Sequence, residues 1–251
     1  MGRSKRAALL LMTMLLALND VHKSFGALKV TDGISLAVNQ GETLGILGPN
    51  GAGKTTLFNL ISGDIQPDQG SITFGGADIS GLPAHKRCRL GVGRSYQVPQ
   101  PYSGLTVFEN CLVAATAGAQ LPEEEAYVVC HDVLQSTGLL NKANQLAGSL
   151  TLLNRKRLEL ARALCTRPKL LLLDEIAGGL TEHEAKALVD EIKAIKARGV
   201  TMIWIEHVVH ALLAVADRLF VLNFGARLAE GAPTDVMNDP EVKRVYMGLD
   251  A

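Results

Sequence analysis

The stretch Gly48-Pro49-Asn50-Gly51-Ala52-Gly53-Lys54-Thr55-Thr56 satisfies GxxxxGK[ST] at every required position. It follows Thr43 to Leu47, an apolar run that reads as a strand, and it opens a helix expected from Lys54 to about Ser62. Glycines let successive backbone N–H groups turn inward around a phosphate, and the helix N-terminus adds positive potential. In such a loop Lys54 reaches the β- and γ-phosphates as a point charge, and the Thr55 hydroxyl is a ligand for Mg²⁺. Gly48, Asn50, Gly51, Ala52, Gly53 and Thr56 complete the expected binding segment. A merely glycine-rich turn has no reason to sit between a strand and a helix, so the context favours a nucleotide site in an α/β core.

Such a site also needs a carboxylate near the metal. Leu170-Leu171-Leu172-Leu173-Asp174-Glu175 supplies one at the end of a run apolar on both faces, the mark of a buried parallel strand. Asp174 is the expected Mg²⁺ ligand, and Glu175 is placed to polarise an attacking water. Read alone, the two acids could simply end a strand in solvent; the phosphate loop makes that the minor reading.

Bulk properties narrow the partners. Lys plus Arg number 25 and Asp plus Glu number 25, and aromatic residues make up 4%, so neither a basic field nor a stacking platform points to nucleic acid. The cysteines, Cys88, Cys111, Cys130 and Cys165, form no CxxC pair and read as reduced thiols used as small apolar side chains. A basic start, Gly2 to Arg6, precedes an apolar run from Ala7 to Leu18 and imitates a leader peptide. That run is short of the ~18 residues a membrane span needs, and its second half is wanted as the first strand. Residues 1–14 are therefore read as an extension, and the chain as soluble by itself.

Strands are expected at Leu16 to Val21, Ile34 to Val38 and Ser71 to Phe74, the last turning at Gly75-Gly76, and Pro83 opens a short helix. From about Pro99 to Pro168 the pattern becomes helical: a capping box at Thr106 to Glu109, a helix opened by Pro122 and three glutamates, and an amphipathic helix from Asn154 to Cys165. Thr181 to Glu184 caps a helix ending at Gly199. Strands follow at Thr201 to Glu206 and Arg218 to Asn223, and Asp239-Pro240 opens a tail helix.

The order of these motifs resembles the ATP-binding subunit of ABC transporters, most of all the branched-chain amino-acid uptake type, from about Leu15 to Gly248. The resemblance implies a P-loop ABC ATPase core, a parallel sheet with helices plus an antiparallel β subdomain, at 15–98 and 168–251. A helical subdomain is then inserted at 99–167. It implies that Gln97 links Mg²⁺ to the helical part, that His207 contacts the γ-phosphate, and that Phe25 stacks on adenine. Without the resemblance, Gln97 would read as a surface residue, His207 as structural and Phe25 as a core or hairpin aromatic.

The family signature, usually LSGGQ, aligns here with Leu150-Thr151-Leu152-Leu153-Asn154. Both glycines are leucines, which removes the easiest route to positive φ and to close phosphate approach. Thr151 keeps a hydroxyl donor, and Asn154 is expected at the helix N-cap, with the dipole aimed at the ATP of a partner subunit. In the following loop Ile176 replaces the usual Pro, and Thr181 stands where Asp is common.

The implied working unit is two ATP-binding subunits, the same chain or a sister, with transmembrane permease subunits and indirectly a periplasmic or extracellular solute-binding protein. Its place would be peripheral, on the cytoplasmic face of the inner (plasma) membrane. A soluble ABC-type ATPase and a weakly hydrolysing nucleotide-dependent regulator are the alternatives.

Overall fold

The computed structural model describes residues 14–247. The extension read at residues 1–14 lies outside them except for Met14, which already belongs to the first strand, and Gly248 lies outside them too. The chain forms two compact units, one from the segments up to Pro83 and from Ala216 onward, the other from Ala84 to Val215.

The first unit begins with strands β1 (Met14–Phe25), β2 (Leu28–Asn39) and β3 (Thr43–Leu47), helix α1 (Lys54–Ser62), and strands β4 (Gln69–Phe74) and β5 (Ala77–Asp78). On β2 the buried residues Ile34, Leu36 and Val38 alternate with exposed neighbours, the period of a sheet covered on one face. It forms an antiparallel sheet of order β2-β1-β4-β5. The strands at Leu16 to Val21 and Ile34 to Val38 run longer than expected, because polar residues such as Lys23 and Thr31 still pair at their ends.

The second unit holds helix α2 (Ala84–Leu90), strand β6 (Val92–Arg94), helices α3 (Val107–Val113), α4 (Glu123–Ser136) and α5 (Leu152–Cys165), and strand β7 (Leu170–Asp174). Helix α6 (Glu182–Ala197), strand β8 (Thr201–Ile205) and helix α7 (Val209–Leu213) follow. Both expected capping boxes form: Thr106 with Glu109 and Thr181 with Glu184 exchange side-chain and backbone hydrogen bonds. Helices α3 to α5 share an apolar core that includes Val107, Leu134 and Leu158, with Cys111, Cys130 and Cys165 buried in it as free thiols. Strands β6, β7 and β8 are parallel, and every residue of Leu170–Asp174 is buried.

One expectation is corrected. Asn154 is not the N-cap of α5: Thr151 is, with extended backbone (φ −64°, ψ 164°), and the helix starts at Leu152. Leu152 and Leu153 are good helix formers, so the helix begins two residues ahead of Asn154.

The chain then returns to the first unit as β9 (Arg218–Asn223), β10 (Ala226–Gly231), α8 (Pro233–Asn238) and α9 (Pro240–Met247). Strand β9 lies parallel to β3 and antiparallel to β10. Among the described residues no helix is long and apolar enough to cross a membrane.

Candidate functional site

In the first unit the parallel register of β3 and β9 pairs Leu47 with Val221, so the chain leaves β3 level with Leu222. A Cβ at Gly48 would stand 2.5 Å from the Leu222 carbonyl oxygen, and one at Gly53 (φ 100°) would stand 2.5 Å from that of Val30. Only glycine allows both approaches. The loop is also pinned through the β9–β10 turn, where the Gly225 N–H donates to the Ala52 carbonyl at 3.0 Å. Lys54 is only 6% exposed, and its ammonium donates to the carbonyls of Gly48 (2.8 Å) and Pro49 (3.0 Å). A cation curled into its own glycine-rich loop is a cradle suited to an anion. Asn50, Gly51 and Thr55 are exposed around it, Thr56 is half-buried and Ala52 is buried. Phe25 ends β1 and is 52% exposed, and the Lys23 ammonium lies 5.8 Å from its ring centroid.

In the second unit, sheet register does the gathering. Arg94 pairs with Leu172, and Asp174 pairs with Ile205. Carried forward along parallel strands, these pairings set Gln97 beside Glu175, and Glu175 beside Glu206 and His207. Gln97 Nε2 accordingly donates to Glu175 Oε2, and His207 Nε2 lies 2.7 Å from Glu175 Oε1. Glu175 itself has φ 46°, a left-handed conformation uncommon for a side chain other than Gly, Asn or Asp, which turns its carboxylate out of the strand direction. Asp174 is buried and accepts from Arg94 Nη2 at 3.0 Å. Gln97, Glu175 and His207 are thus brought together. Thr151 is exposed at the start of α5, and Asn154 lies half-buried in that helix's first turn.

Three buried charges around this cluster escaped the sequence reading. Lys156 of α5 directs its ammonium at the Glu175 carbonyl (3.3 Å) and towards that of Gln97 (3.5 Å). Burial pulls its pKa down, and the charges of Glu206 and Glu175 oppose that. Glu159, one turn on, is pushed up by burial while Arg162 and the backbone N–H groups of Gln100 and Tyr96 hold it down. Glu206 is pushed up by burial against three backbone donors. The available signal was spacing: Lys156, Glu159 and Arg162 recur every third residue on a helix whose other face is apolar, and Glu206 directly follows a fully buried strand.

In the second unit Asp174 and Gln97 offer carboxylate and amide oxygens, and in the first Thr55 offers a hydroxyl; each is a hard donor of the kind Mg²⁺ prefers. Among the described residues no group of three or more His, Cys, Asp or Glu is arranged to hold a metal.

A glycine-rich phosphate loop after one buried strand and an Asp-Glu pair after another define a nucleotide-binding α/β protein. The chain belongs to the ABC transporter ATP-binding family: the model described as "ABC transporter" matches residues 31–178. A second, "Branched-chain amino acid ATP-binding cassette transporter", matches residues 226–251. The high-affinity branched-chain amino acid transport ATP-binding protein LivG of Salmonella typhimurium is 36% identical over 249 residues, 93% of this chain and 98% of its own. The lipopolysaccharide export system ATP-binding protein LptB of Haemophilus influenzae is 35% identical over 234 residues, 93% of this chain and 97% of its own. The crystal structure of the ADP conformation of an ATP-binding cassette of an ABC transporter superposes with TM-score 0.83 at 30% identity, covering 94% of this chain and 99% of that one. The protein is an ATP-binding ATPase subunit of a transporter.

Proposed function

We propose that this subunit powers an importer of branched-chain or related amino acids, and that Glu175, Gln97 and His207 carry its hydrolytic step. The observation that supports the step best is the Glu175 carboxylate held between Gln97 Nε2 and His207 Nε2 at the end of a buried strand. In this reading the loop from Gly48 to Thr56 cradles the phosphates, Lys54 exchanges its loop carbonyls for phosphate oxygens, and Phe25 stacks on the base. Thr55 of the phosphate loop, and Asp174 and Gln97 of the second unit, are the residues that would ligate Mg²⁺, and the ion would supply charge neutralisation on the phosphates. Glu175 orients and polarises the attacking water, and His207 reaches the γ-phosphate.

Two such subunits sandwich ATP, with the phosphate loop of one facing the Leu150–Asn154 segment of the other. The γ-phosphate is the contact that differs between ATP and ADP, so its loss resets the pair. Permease subunits receive the motion on the helical part, at the cytoplasmic face of the membrane, and a solute-binding protein outside completes the system.

Amino-acid import is supported by the match at residues 226–251 and by LivG; the near-equal identity to LptB supports a second reading, lipopolysaccharide-type export. Affinity purification of the tagged chain from gently solubilised native membranes, with mass spectrometry of what accompanies it, separates them. An import permease, together with loss of labelled leucine uptake when the gene is deleted, supports the first reading. An export permease supports the second. Ribosomal or DNA-repair partners would overturn both.

A further inference from the structure

Glu206 is 1% exposed, and its carboxylate is used on two sides. One oxygen, Oε2, accepts the Ala177 N–H at 3.1 Å. The other, Oε1, accepts the N–H of His207 at 3.0 Å and that of Val208 at 3.4 Å. The first donor lies two residues after Glu175, and the others are His207 itself and its neighbour. One buried side chain therefore ties together the two loops whose side chains meet as Glu175 Oε1 and His207 Nε2, 2.7 Å apart.

A carboxylate is an expensive group to bury, and an apolar side chain of similar volume would fill the same space without that cost. What an apolar residue cannot do is accept from two backbones at once. A neutral amide does only half of it: glutamine keeps one acceptor oxygen and turns an NH₂ towards the other loop's donor. The adjoining Glu175 N–H donates to the Ile205 carbonyl at 2.9 Å, so the strand ends are already in register and the carboxylate sets the loops beyond them.

We infer that Glu206 is a positioning residue for hydrolysis, fixing the loop after Glu175 against the loop that carries His207. The inference rests on the reading of Glu175 and His207 as the hydrolytic pair.

The test uses the full chain with its co-purified permease, and four variants: Glu206→Gln, His207→Ala, the double variant, and Glu175→Gln as control. Misplacing a reacting group by about an ångström costs about 10²-fold, so Glu206→Gln should lower kcat by roughly that factor. Affinity for a fluorescent ATP analogue should stay within about twofold, since none of the atoms Glu206 holds belongs to the phosphate loop. If Glu206 acts through His207, adding Glu206→Gln to His207→Ala should change kcat by less than about twofold. Hydrogen exchange of the full chain should quicken together in peptides covering residues 175–181 and 206–209.

Wild-type kcat in Glu206→Gln, effects of Glu206→Gln and His207→Ala that multiply, or unchanged exchange in both peptides would each overturn the inference. Full turnover in both Glu175→Gln and His207→Ala would instead overturn the reading of the pair on which it rests.

Discussion

His207 Nε2 lies 2.7 Å from Glu175 Oε1, while Glu175 Oε2 accepts from Gln97 Nε2, so both oxygens of one carboxylate are engaged by side chains from two other loops. A carboxylate held this way is oriented before substrate arrives. Glu175→Gln keeps the shape and removes the base. Hydrolysis should fall by about 10²- to 10⁴-fold while ATP binding persists. Steady-state phosphate release and equilibrium binding on the same preparation check this, and unchanged release would remove Glu175 from its assigned role.

Lys54 and Gly53 fail in different ways. Lys54→Ala removes a charge-assisted donor but no backbone constraint, so affinity for ATP should drop by about 10- to 100-fold with little change in melting temperature. Gly53→Ala puts a methyl group 2.5 Å from the Val30 carbonyl at φ 100°, and the loop must move. It should cost about 2 kcal/mol of stability as well as nucleotide affinity. Calorimetry of binding and thermal unfolding of both variants separates the two effects; equal melting temperatures would mean that the loop yields without strain.

Much of the fold was legible because its signals are local. Strand β3 and helix α1 have the bounds expected from Thr43 to Leu47 and Lys54 to Ser62, and both capping boxes form where Thr106 and Thr181 precede a glutamate by three residues. What stayed hidden depends on partners distant in sequence. Strand β10, Ala-Arg-Leu-Ala-Glu-Gly, has no β-branched residue and is a strand because β9 pairs with it. Lys156, Glu159 and Glu206 look like solvent-facing charges until their acceptors and donors are seen to come from other loops. At the signature segment the leucines marked the departure, but Thr151 rather than Asn154 caps the helix, because Leu152 and Leu153 are themselves helical.

Arg157 and Glu191 join α5 to α6 as a largely buried ion pair, with Arg157 Nε donating to Glu191 Oε1 at 2.8 Å. Burial raises the pKa of Glu191, and Arg157 holds it down. Arg157→Leu removes the restraint, so the pKa rises further and an unpaired carboxylate stays buried. The cost at neutral pH should be about 2 kcal/mol, below that of a fully enclosed pair. With the folded pKa above the unfolded one, the native state binds more protons between the two values, and stability falls as pH rises through that window. Urea titrations from about pH 5 to about pH 8 should therefore show a steeper decline for Arg157→Leu than for the wild type. Parallel curves would place the pair outside the stability of this unit.

Leu152 and Leu153 bear on the efficiency of the site in a partner subunit. Leu152 is 47% exposed in the first turn of α5, where backbone N–H groups lack intrahelical partners and could meet a phosphate. Leucine side chains there keep an anion at a distance, whereas glycine would let it reach the amides. Replacing both by glycine should lower helix stability by about 1 kcal/mol per residue, so the melting temperature falls. Turnover should rise nonetheless, by at least about tenfold, because donors aimed at developing charge strengthen when the anion approaches closely. Opposite movements of melting temperature and kcat in Leu152→Gly, Leu153→Gly would identify the leucines as a brake on hydrolysis. A fall in both would mean that the helix extended to Leu152 is the form in which this subunit works, and that the apolar segment itself makes the contact with its partner.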